Sequence, residues 1–509
     1  MITFFIKNVS RRDPETAYPQ MILVPDGWND WWKFTTLYWM VFIDSEGERH
    51  DIGGIKIGQY QMETSRPALP QTFTQLPSDF FSLGQDFSYY EAIKDLGDDL
   101  RDEIHSALND IAFDEAIYTK CINETVTTNS LLRSVSVKSV EGQFRRLATG
   151  NSSLTPYDFE YTSYPNKRHI SPIKINFIVT PKSNPPTNIH VIIGRNGVGK
   201  TRLLHNMSQC IMGEGPVKYG KFESSIGLKG SDIFANLISV TFSAFDETEP
   251  LPERQNKTMG ISRSYIGLKD EGKKIDPNAK KIFSTKSPTK LKNEFARSAY
   301  LCKIGGKLRR YKAAIHALEV DPIFRDADLN SILEIAERED FETGAAAIFH
   351  KLSSGHKIVL LTITRLVETL EERSLVLIDE PEAHLHPPLL SAFIRALSDL
   401  LTVRNAVAII ATHSPVVIQE VPRSCCWKLQ RNGHYEVAER LEIESFGENV
   451  GSLTQEVFGL EVTDSGFHRL LVKSLENNTT YENVIEDFDG QLGMEAKAII
   501  RVLTSDFEQ

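Results

Sequence analysis

The stretch "IHVIIGRNGVGKTRLLHNM", residues 189–207, constrains this 509-residue chain more than any other part of the sequence. An apolar run ends at Gly194, and residues 194–201 then fit the pattern G-x-x-x-x-G-K-[ST] at every fixed position. The pattern predicts a buried strand, a glycine-rich turn and a helix. Because such a turn directs backbone N–H groups toward one point in front of a helix N-terminus, it predicts a phosphate-binding site.

Each residue of this turn has an expected task. Lys200 is expected to reach the β- and γ-phosphates of ATP, and the Thr201 hydroxyl is expected to bind Mg²⁺. The predicted nucleotide-binding residues are Gly194, Arg195, Asn196, Gly197, Val198, Gly199, Lys200, Thr201 and Arg202.

A second motif, "LVLIDEPEAHLHP" at residues 375–387, supplies acids at the end of another apolar run. Asp379 is the predicted second Mg²⁺ ligand, at the carboxyl end of a central strand. Glu380 follows it, and strand alternation is expected to turn the two side chains to opposite sides. A glutamate here suits the orientation or deprotonation of the attacking water. The motif therefore predicts Glu380 as a catalytic residue.

A third apolar run, "AVAIIATHSP", carries His413 directly after its predicted strand. A lone histidine is more often structural than functional. In a nucleotide-binding fold, however, a histidine at this position can hydrogen-bond the γ-phosphate and report whether it is present. His413 is therefore the second predicted catalytic residue.

The order of these segments predicts an α/β fold. Residues 374–379 and 406–412 read as buried strands, each preceded by a helical pattern, and such alternation indicates a mostly parallel sheet covered by helices. Residues 35–58 and 427–441 read as hairpins around Asp-Ser-Glu-Gly and Asn-Gly turns. The predicted domains are residues 1–180, β-rich and helical; 181–435, the nucleotide-binding core; and 436–509, acidic and helical.

The turn "KLSSGHK" at residues 351–357 resembles the signature loop of the ABC ATPases, usually Leu-Ser-Gly-Gly-Gln. In sequence it stands at the start of a predicted helix, where a serine hydroxyl and the helix N-terminus suit an anion. The resemblance implies an ABC-type head with an antiparallel β-subdomain and a helical subdomain. It also implies that Ser353, Ser354 and Gly355 contact ATP bound to a second copy of the chain, so that two heads enclose the nucleotides in a homodimer or higher oligomer.

Two features depart from the transporter pattern. His356 stands where the ABC family usually has Gln or Glu, and the Glu-Pro-Glu-x-His-Leu-His-Pro loop is similar to soluble ABC-like ATPases. No clear glutamine loop is present, although Ser243 or Asp246 could replace it. With "SLLRSVSV", "QFRRLATG" and "VTFSAFD", the plan resembles the ATPase subunit of Septu-type and retron-associated bacterial defence systems. That resemblance implies a separate HNH nuclease partner in antiviral defence.

Three alternatives remain open at the level of the sequence. One is a DNA-repair ATPase of the RecF-like sort. Another is an ABC-like ATPase with its own Toprim nuclease, for which Asp487 and Asp489 offer an Asp-x-Asp pair, although it lies near the end and has no suitable strand and glutamate upstream. The third is the ATP-binding subunit of a transporter, against which the large N-terminal region and the His-Leu-His-Pro loop argue. No apolar run approaches the roughly 20 residues that span a bilayer. The chain is therefore expected to be cytoplasmic and not to bind membranes.

Charge is strongly segregated along the chain, which has a formal net charge of −11. Residues 250–312 contain 17 Lys/Arg and 5 Asp/Glu, whereas residues 436–509 contain 5 and 16. The basic segment predicts a possible DNA-contacting insertion, and the acidic region a possible docking surface for a partner. The five scattered cysteines lack a CxxC pair and predict free thiols rather than a zinc site or disulfide framework.

Overall fold

The computed structural model describes residues 2–7, 19–27, 29–30, 33–63, 65–150, 154, 156–165, 172–212, 219–225, 227–228, 230–242, 261–270, 284–303, 307–432, 435–459, 466–475 and 480–505. The predicted candidates Ser243 and Asp246 lie outside these residues, as do large parts of the basic segment 250–312.

The described strands are β1 (Thr3–Ile6), β2 (Gln20–Pro25), β3 (Leu37–Ile43), β4 (Arg49–Gln59), β5 (Thr72–Phe73), β6 (Phe80–Gly84), β7 (Tyr157–Thr162), β8 (Lys174–Val179), β9 (Ile189–Ile193), β10 (Lys221–Ser224), β11 (Asn236–Thr241), β12 (Ser262–Gly267), β13 (Ser374–Asp379), β14 (Val407–Thr412), β15 (Cys426–Asn432) and β16 (Tyr435–Glu439).

The described α-helices are α1 (Phe87–Asp95), α2 (Asp98–Ala107), α3 (Glu115–Cys121), α4 (Val137–Ser139), α5 (Arg145–Ala148), α6 (Lys200–Met212), α7 (Gly230–Ile233), α8 (Pro288–Lys303), α9 (Lys307–Leu318), α10 (Pro322–Asp326), α11 (Arg338–Lys351), α12 (Ser354–Thr369), α13 (Pro387–Arg404), α14 (Pro415–Gln419), α15 (Val450–Phe458), α16 (Phe467–Leu475), α17 (Tyr481–Asp487) and α18 (Met494–Ser505). Short π-helical turns occupy Thr127–Leu131 and Val140–Phe144, and 3₁₀ turns occupy Ser331–Glu334 and Arg423–Cys425.

A seven-stranded sheet with the order β12-β11-β13-β14-β9-β15-β16 forms the centre of the nucleotide-binding region. All neighbouring pairs are parallel except the last, the hairpin of β15 and β16. Every residue of β9, β13 and β14 is buried, as expected for strands covered on both faces. The predicted α/β class with a mostly parallel sheet is confirmed, and both predicted strands after residue 370 form.

Two smaller layers complete this region. Strands β10, β7 and β8 form an antiparallel sheet whose apolar side chains share one core with α6 and the central sheet. Helices α8, α9, α11 and α12 contact one another, and their apolar residues join the core on the other side. The long helix α12 connects that helical layer directly to β13. The helix begins at the signature turn, which lies against the loop of the acidic motif, since a Cβ on Gly355 would be 2.6 Å from the carbonyl oxygen of His384.

The N-terminal residues form a separate apolar core. Its six-stranded sheet has the order β5-β1-β2-β3-β4-β6, and β3 and β4 form the hairpin predicted over residues 35–58. The predicted helical part of this region includes two short helices rather than one long one, since α2 ends at Ala107 and α3 begins only at Glu115. The predicted 1–180 region therefore contains two parts: the separate core up to residue 148, and β7 and β8, which belong to the nucleotide-binding region.

Ion pairs join α1 of this N-terminal core to α9. The Arg309 guanidinium lies 2.6 Å from a carboxylate oxygen of Glu91 and 2.6 Å from one of Asp95. Arg310, which is 6% exposed, lies 3.6 Å from Asp86. The electrostatic field of Lys307 and the neighbouring arginines holds the pKa of Asp86 far below its ordinary value, although burial alone would raise it.

The C-terminal residues extend the fold in two steps. Helix α15 packs on α14, and Leu453 and Val457 are part of the nucleotide-binding core. Helices α16, α17 and α18 form a small core of their own around Leu471, Val484 and Ile500. Among the described residues, no helix is long and apolar enough to cross a membrane.

Candidate functional site

The predicted phosphate-binding turn lies between β9 and α6, at the carboxyl end of the parallel sheet. Gly197 and Gly199 have φ values of +82° and +107°, which residues with a Cβ rarely adopt. A Cβ on Gly194 would lie 2.4 Å from the carbonyl oxygen of Leu429. The glycine spacing of the motif is thus required by the turn itself and by the close approach of β15.

Lys200 begins α6 and is only 4% exposed. Its ammonium donates hydrogen bonds to the carbonyl oxygens of Gly194 and Arg195, at 2.9 and 3.0 Å. Burial lowers the pKa of Lys200, while the field of Glu380, Glu382 and Asp379 acts in the opposite direction. The cation is thus held inside the turn by two carbonyl groups and faces three carboxylates.

A cleft of about 310 Å³ lies in front of this turn. It is lined by Gly197, Gly199, Lys200, Thr201, Arg202, His205 and Glu380. The remaining predicted residues of the turn lie beside it: Val198 is buried, whereas Arg195 and Asn196 are exposed. The Arg195 guanidinium donates to the carbonyl oxygen of Phe458 at the end of α15, so the turn contacts the C-terminal region.

The acidic motif reaches the same cleft by a different backbone path from the one predicted. Asp379 ends β13 and is 8% exposed. Glu380 does not continue the strand, because its φ is +47° and its N–H donates to the carbonyl oxygen of Ala411. The strand alternation assumed from the sequence was therefore wrong at this residue. The left-handed turn, rather than alternation, places the Glu380 side chain along the cleft with Lys200.

Glu382 is a functional candidate that the sequence analysis did not identify. One oxygen of its carboxylate accepts hydrogen bonds from the Thr412 hydroxyl at 2.6 Å and the His413 N–H at 2.7 Å. The His413 Nδ1 atom lies 3.0 Å from this oxygen and 3.9 Å from Glu380. Glu382 therefore fixes the end of β14 through the His413 N–H, and its carboxylate lies beside the imidazole. The second acid of Glu-Pro-Glu was the available sequence signal.

These groups suit ATP and Mg²⁺. Mg²⁺ usually takes one or two protein oxygen ligands and fills its octahedron with waters and substrate phosphates. Thr201 lines the cleft, and Asp379 ends the neighbouring strand, so the two predicted ligands supply oxygens of the required kind. Within the described ranges, no group of three or more His, Cys, Asp or Glu side chains could hold a metal by itself.

The signature turn begins α12 as predicted, with Ser353 as its N-cap. The Ser353 hydroxyl and Ser354 are exposed, while Gly355 is buried. A Cβ on Gly355 would lie 2.6 Å from the carbonyl oxygen of His384, which explains the requirement for glycine. None of residues 353–355 is among the residues that line the phosphate-binding cleft, so the turn faces a different surface of its own chain.

The other predicted surfaces are described only in part. In the basic segment, Lys286 pairs with Glu294 at 2.7 Å, and Lys290 pairs with Asp270. Together with the pairing of Arg309 and Arg310 described above, these contacts engage several of the cations expected for DNA. At the C-terminus, the described residues 466–475 and 480–505 are helices and connecting turns, and the Ser474 hydroxyl donates to Asp487. No strand end is present there to carry a Toprim centre.

Two comparisons identify relatives. Residues 244–419 match the family model AAA_21, described as "AAA domain, putative AbiEii toxin, Type IV TA system". Protein ea59 of Escherichia phage lambda is 39% identical over 528 residues, covering 99% of this chain and 98% of its relative. The chain belongs to the ea59 family. It contains a P-loop ATPase domain of the AAA type, and the matched segment includes the signature turn, the acidic motif and His413.

Solved structures of ATP-binding cassettes align more loosely. An ATP-binding cassette of an ABC transporter in its ADP conformation is 13% identical, and the alignment covers 61% of this chain and 100% of that chain, with a TM-score of 0.31. CbiO1 from Clostridium perfringens is 14% identical, with coverage of 62% and 98% and a TM-score of 0.30. Scores this low support no conclusion about function.

Proposed function

We propose that this protein binds and hydrolyses ATP and that two copies close around two nucleotides. The observation that carries the proposal is the separation of two half-sites on one chain. Lys200, Thr201 and Glu380 line one cleft, whereas the exposed Ser353 turn lies outside it. A second copy, turned to face the first, would bring its Ser353 turn to the γ-phosphate and complete each site.

The residues of one chain divide the chemistry as follows. Lys200 exchanges the carbonyl oxygens of Gly194 and Arg195 for phosphate oxygens, so the cation is already close to its task. Thr201 and Asp379 would hold Mg²⁺, which supplies charge neutralisation at the β- and γ-phosphates. Glu380 orients the water for in-line attack, and the proton goes to its carboxylate. His413, held by Glu382, contacts the γ-phosphate and senses its loss.

We further propose that the ATPase regulates a separate nuclease, of the HNH type, in bacterial antiviral defence. Supporting this, the described C-terminal helices present apolar side chains to solvent, with Phe467 44% and Leu470 58% exposed. An exposed apolar face next to charged residues suits a protein partner. In this proposal, ATP-dependent closure of the heads changes the access of the nuclease to its substrate.

Substitutions at two positions test the ATPase proposal. Lys200→Ala should abolish ATP binding in an equilibrium titration, because it removes the ammonium that the turn holds at the cleft. Glu380→Gln should bind ATP and turn it over at least ~100-fold more slowly, the scale of a lost general base. Glu339→Gln, at the exposed start of α11, is the control. Normal turnover by Glu380→Gln would contradict the assignment.

The nuclease proposal needs a different assay. The purified chain alone, with Mg²⁺ or Mn²⁺ and with or without ATP, should leave plasmid DNA intact. Cleavage that disappears in Asp487→Ala would overturn the proposal of a separate nuclease and restore the internal Toprim alternative.

A further inference from the structure

His356, the residue that departs from the ABC signature, lies inside a hydrogen-bonded chain. Its Nδ1 atom is 2.6 Å from the Ser353 hydroxyl, and its Nε2 atom is 3.2 Å from a carboxylate oxygen of Asp321. The imidazole side chain is 6% exposed and that of Asp321 is 9% exposed, whereas Ser353 is exposed. These hydrogen bonds therefore link the buried carboxylate of Asp321 to the hydroxyl of the exposed Ser353 at the N-terminus of α12.

The position of each member of this chain is fixed. Asp321 is the N-cap of α10, and the oxygen that faces His356 also accepts the Ile323 N–H at 2.9 Å. The Phe324 ring packs edge-on against the imidazole, with centroids 5.0 Å apart. From the loop after the acidic motif, His386 approaches the other Asp321 oxygen at 3.9 Å. Asp321 and His386 are the charged or titratable groups that the described structure places around this imidazole.

Proton positions along the chain follow from these contacts. Asp321 accepts hydrogen bonds, so the Nε2 atom of His356 carries a proton whether the ring is neutral or charged. In the neutral ring, Nδ1 has only a lone pair and must accept from the Ser353 hydroxyl. The serine proton then points inward, and oxygen lone pairs face any anion that approaches. In the charged ring, Nδ1 donates to Ser353, and the hydroxyl proton becomes available to an anion outside.

We propose that the His356–Asp321 pair sets the hydrogen-bonding direction of the Ser353 hydroxyl, so that the signature turn binds the partner's γ-phosphate together with uptake of a proton by His356. The pair thus positions Ser353 and does not itself contact the nucleotide. The proposal rests on the ATP-enclosed dimer proposed above. It predicts closure that is tighter at lower pH, because a proton is bound with each phosphate.

The test measures ATP-dependent dimerisation of the full chain carrying Glu380→Gln, by analytical ultracentrifugation between pH 6 and pH 9. A dimer contains two Ser353 sites and takes up two protons, so the dimer dissociation constant should rise with pH with a limiting slope of roughly a hundredfold per pH unit. Adding His356→Gln supplies an amide that does not titrate. In that variant the dimer dissociation constant should rise less steeply with pH, by the roughly hundredfold per pH unit that the two His356 protons contribute.

Controls separate this effect from other titrations. ATP and His413 are the same in all variants, so the difference between the slopes is the readout. His316→Gln removes an exposed histidine of α9 and should leave the slope unchanged, as should His386→Gln. ATP affinity of the monomer and circular dichroism show whether each variant is folded.

Three results would overturn the proposal in distinguishable ways. Absence of an ATP-dependent dimer at every pH in the Glu380→Gln parent would remove the proposed function itself. A parent that dimerises with the same pH slope as the His356→Gln variant would leave the dimer intact but exclude a proton-coupled role of His356. Loss of the slope in His386→Gln alone would assign the proton to that residue instead.

Discussion

Replacing Glu382 by alanine should disorganise the sensor end of the site while leaving the phosphate-binding turn in place. The substitution removes an acceptor, 9% exposed, that serves the Thr412 hydroxyl and the His413 N–H. Hydrogen bonds to a charged group contribute about 1.5–3 kcal/mol each. Water can enter beside the half-exposed His413 and replace part of this loss. We therefore expect the free energy of unfolding to fall by about 2–4 kcal/mol.

The functional effect should be larger than the structural one. Without Glu382, the His413 imidazole is no longer held beside Glu380, and a misplaced catalytic group can cost about 100-fold in rate. Steady-state ATP hydrolysis should thus fall in kcat by about 10–100-fold, with ATP affinity nearly unchanged because Lys200 and the turn are intact. Urea unfolding followed by circular dichroism gives the stability.

The matched control is Glu420→Ala, since Glu420 is likewise a partnered glutamate, 2.7 Å from Arg395, but is not in the phosphate-binding cleft. It should hydrolyse ATP at the parent rate. A Glu382→Ala protein with the parent's kcat and a change in unfolding free energy below about 0.5 kcal/mol would refute the reasoning.

Two further predictions concern the packing around the site. Gly355→Ala should destabilise the chain by about 1–3 kcal/mol, the scale of overpacking, because its Cβ would lie 2.6 Å from the His384 carbonyl oxygen. The control is Gly344→Ala in α11, whose Cβ would meet only two isoleucine methyls at 3.4 Å and which should be neutral or stabilising. Equal unfolding temperatures for the two variants would contradict this prediction. Burial lowers the pKa of His190 to about 3, below the value of about 6.5 in the unfolded chain. The neutral, buried His190 therefore costs the folded state no proton-binding energy above pH 6.5, and the free energy of unfolding declines by up to about 1.4 kcal/mol per pH unit as the pH falls toward 3. His190→Gln should therefore lose less unfolding temperature between pH 7 and pH 5 than the parent, and identical pH profiles would contradict the assignment.

The sequence predicted the elements of the site because each has a strong local signal. The glycines of residues 194–199 and the apolar runs before Lys200, Asp379 and His413 specify strand ends and turns within a few residues. The carboxyl ends of parallel strands share one edge of a sheet, so their convergence followed from the class of fold.

Other features depend on contacts between distant residues, which no local pattern shows. The positive φ of Glu380 has no local sequence signal, and the role of Glu382 follows from β14 lying beside β13. The partner of His356 is 35 residues away, in α10. Likewise, Arg309 of α9 pairs with Asp95 of α1, more than 200 residues away in the sequence. The excess of cations in residues 250–312 could not predict that partner.

The most direct test of the proposed function is the mass of the Glu380→Gln protein in solution with ATP and Mg²⁺, measured beside the same protein with ADP. The account predicts a species of twice the 57.4 kDa chain mass with ATP, which Ser353→Ala prevents without loss of ATP binding. A mass that is the same with ATP and ADP, or a dimer that Ser353→Ala leaves intact, would contradict closure of two heads through the signature turn.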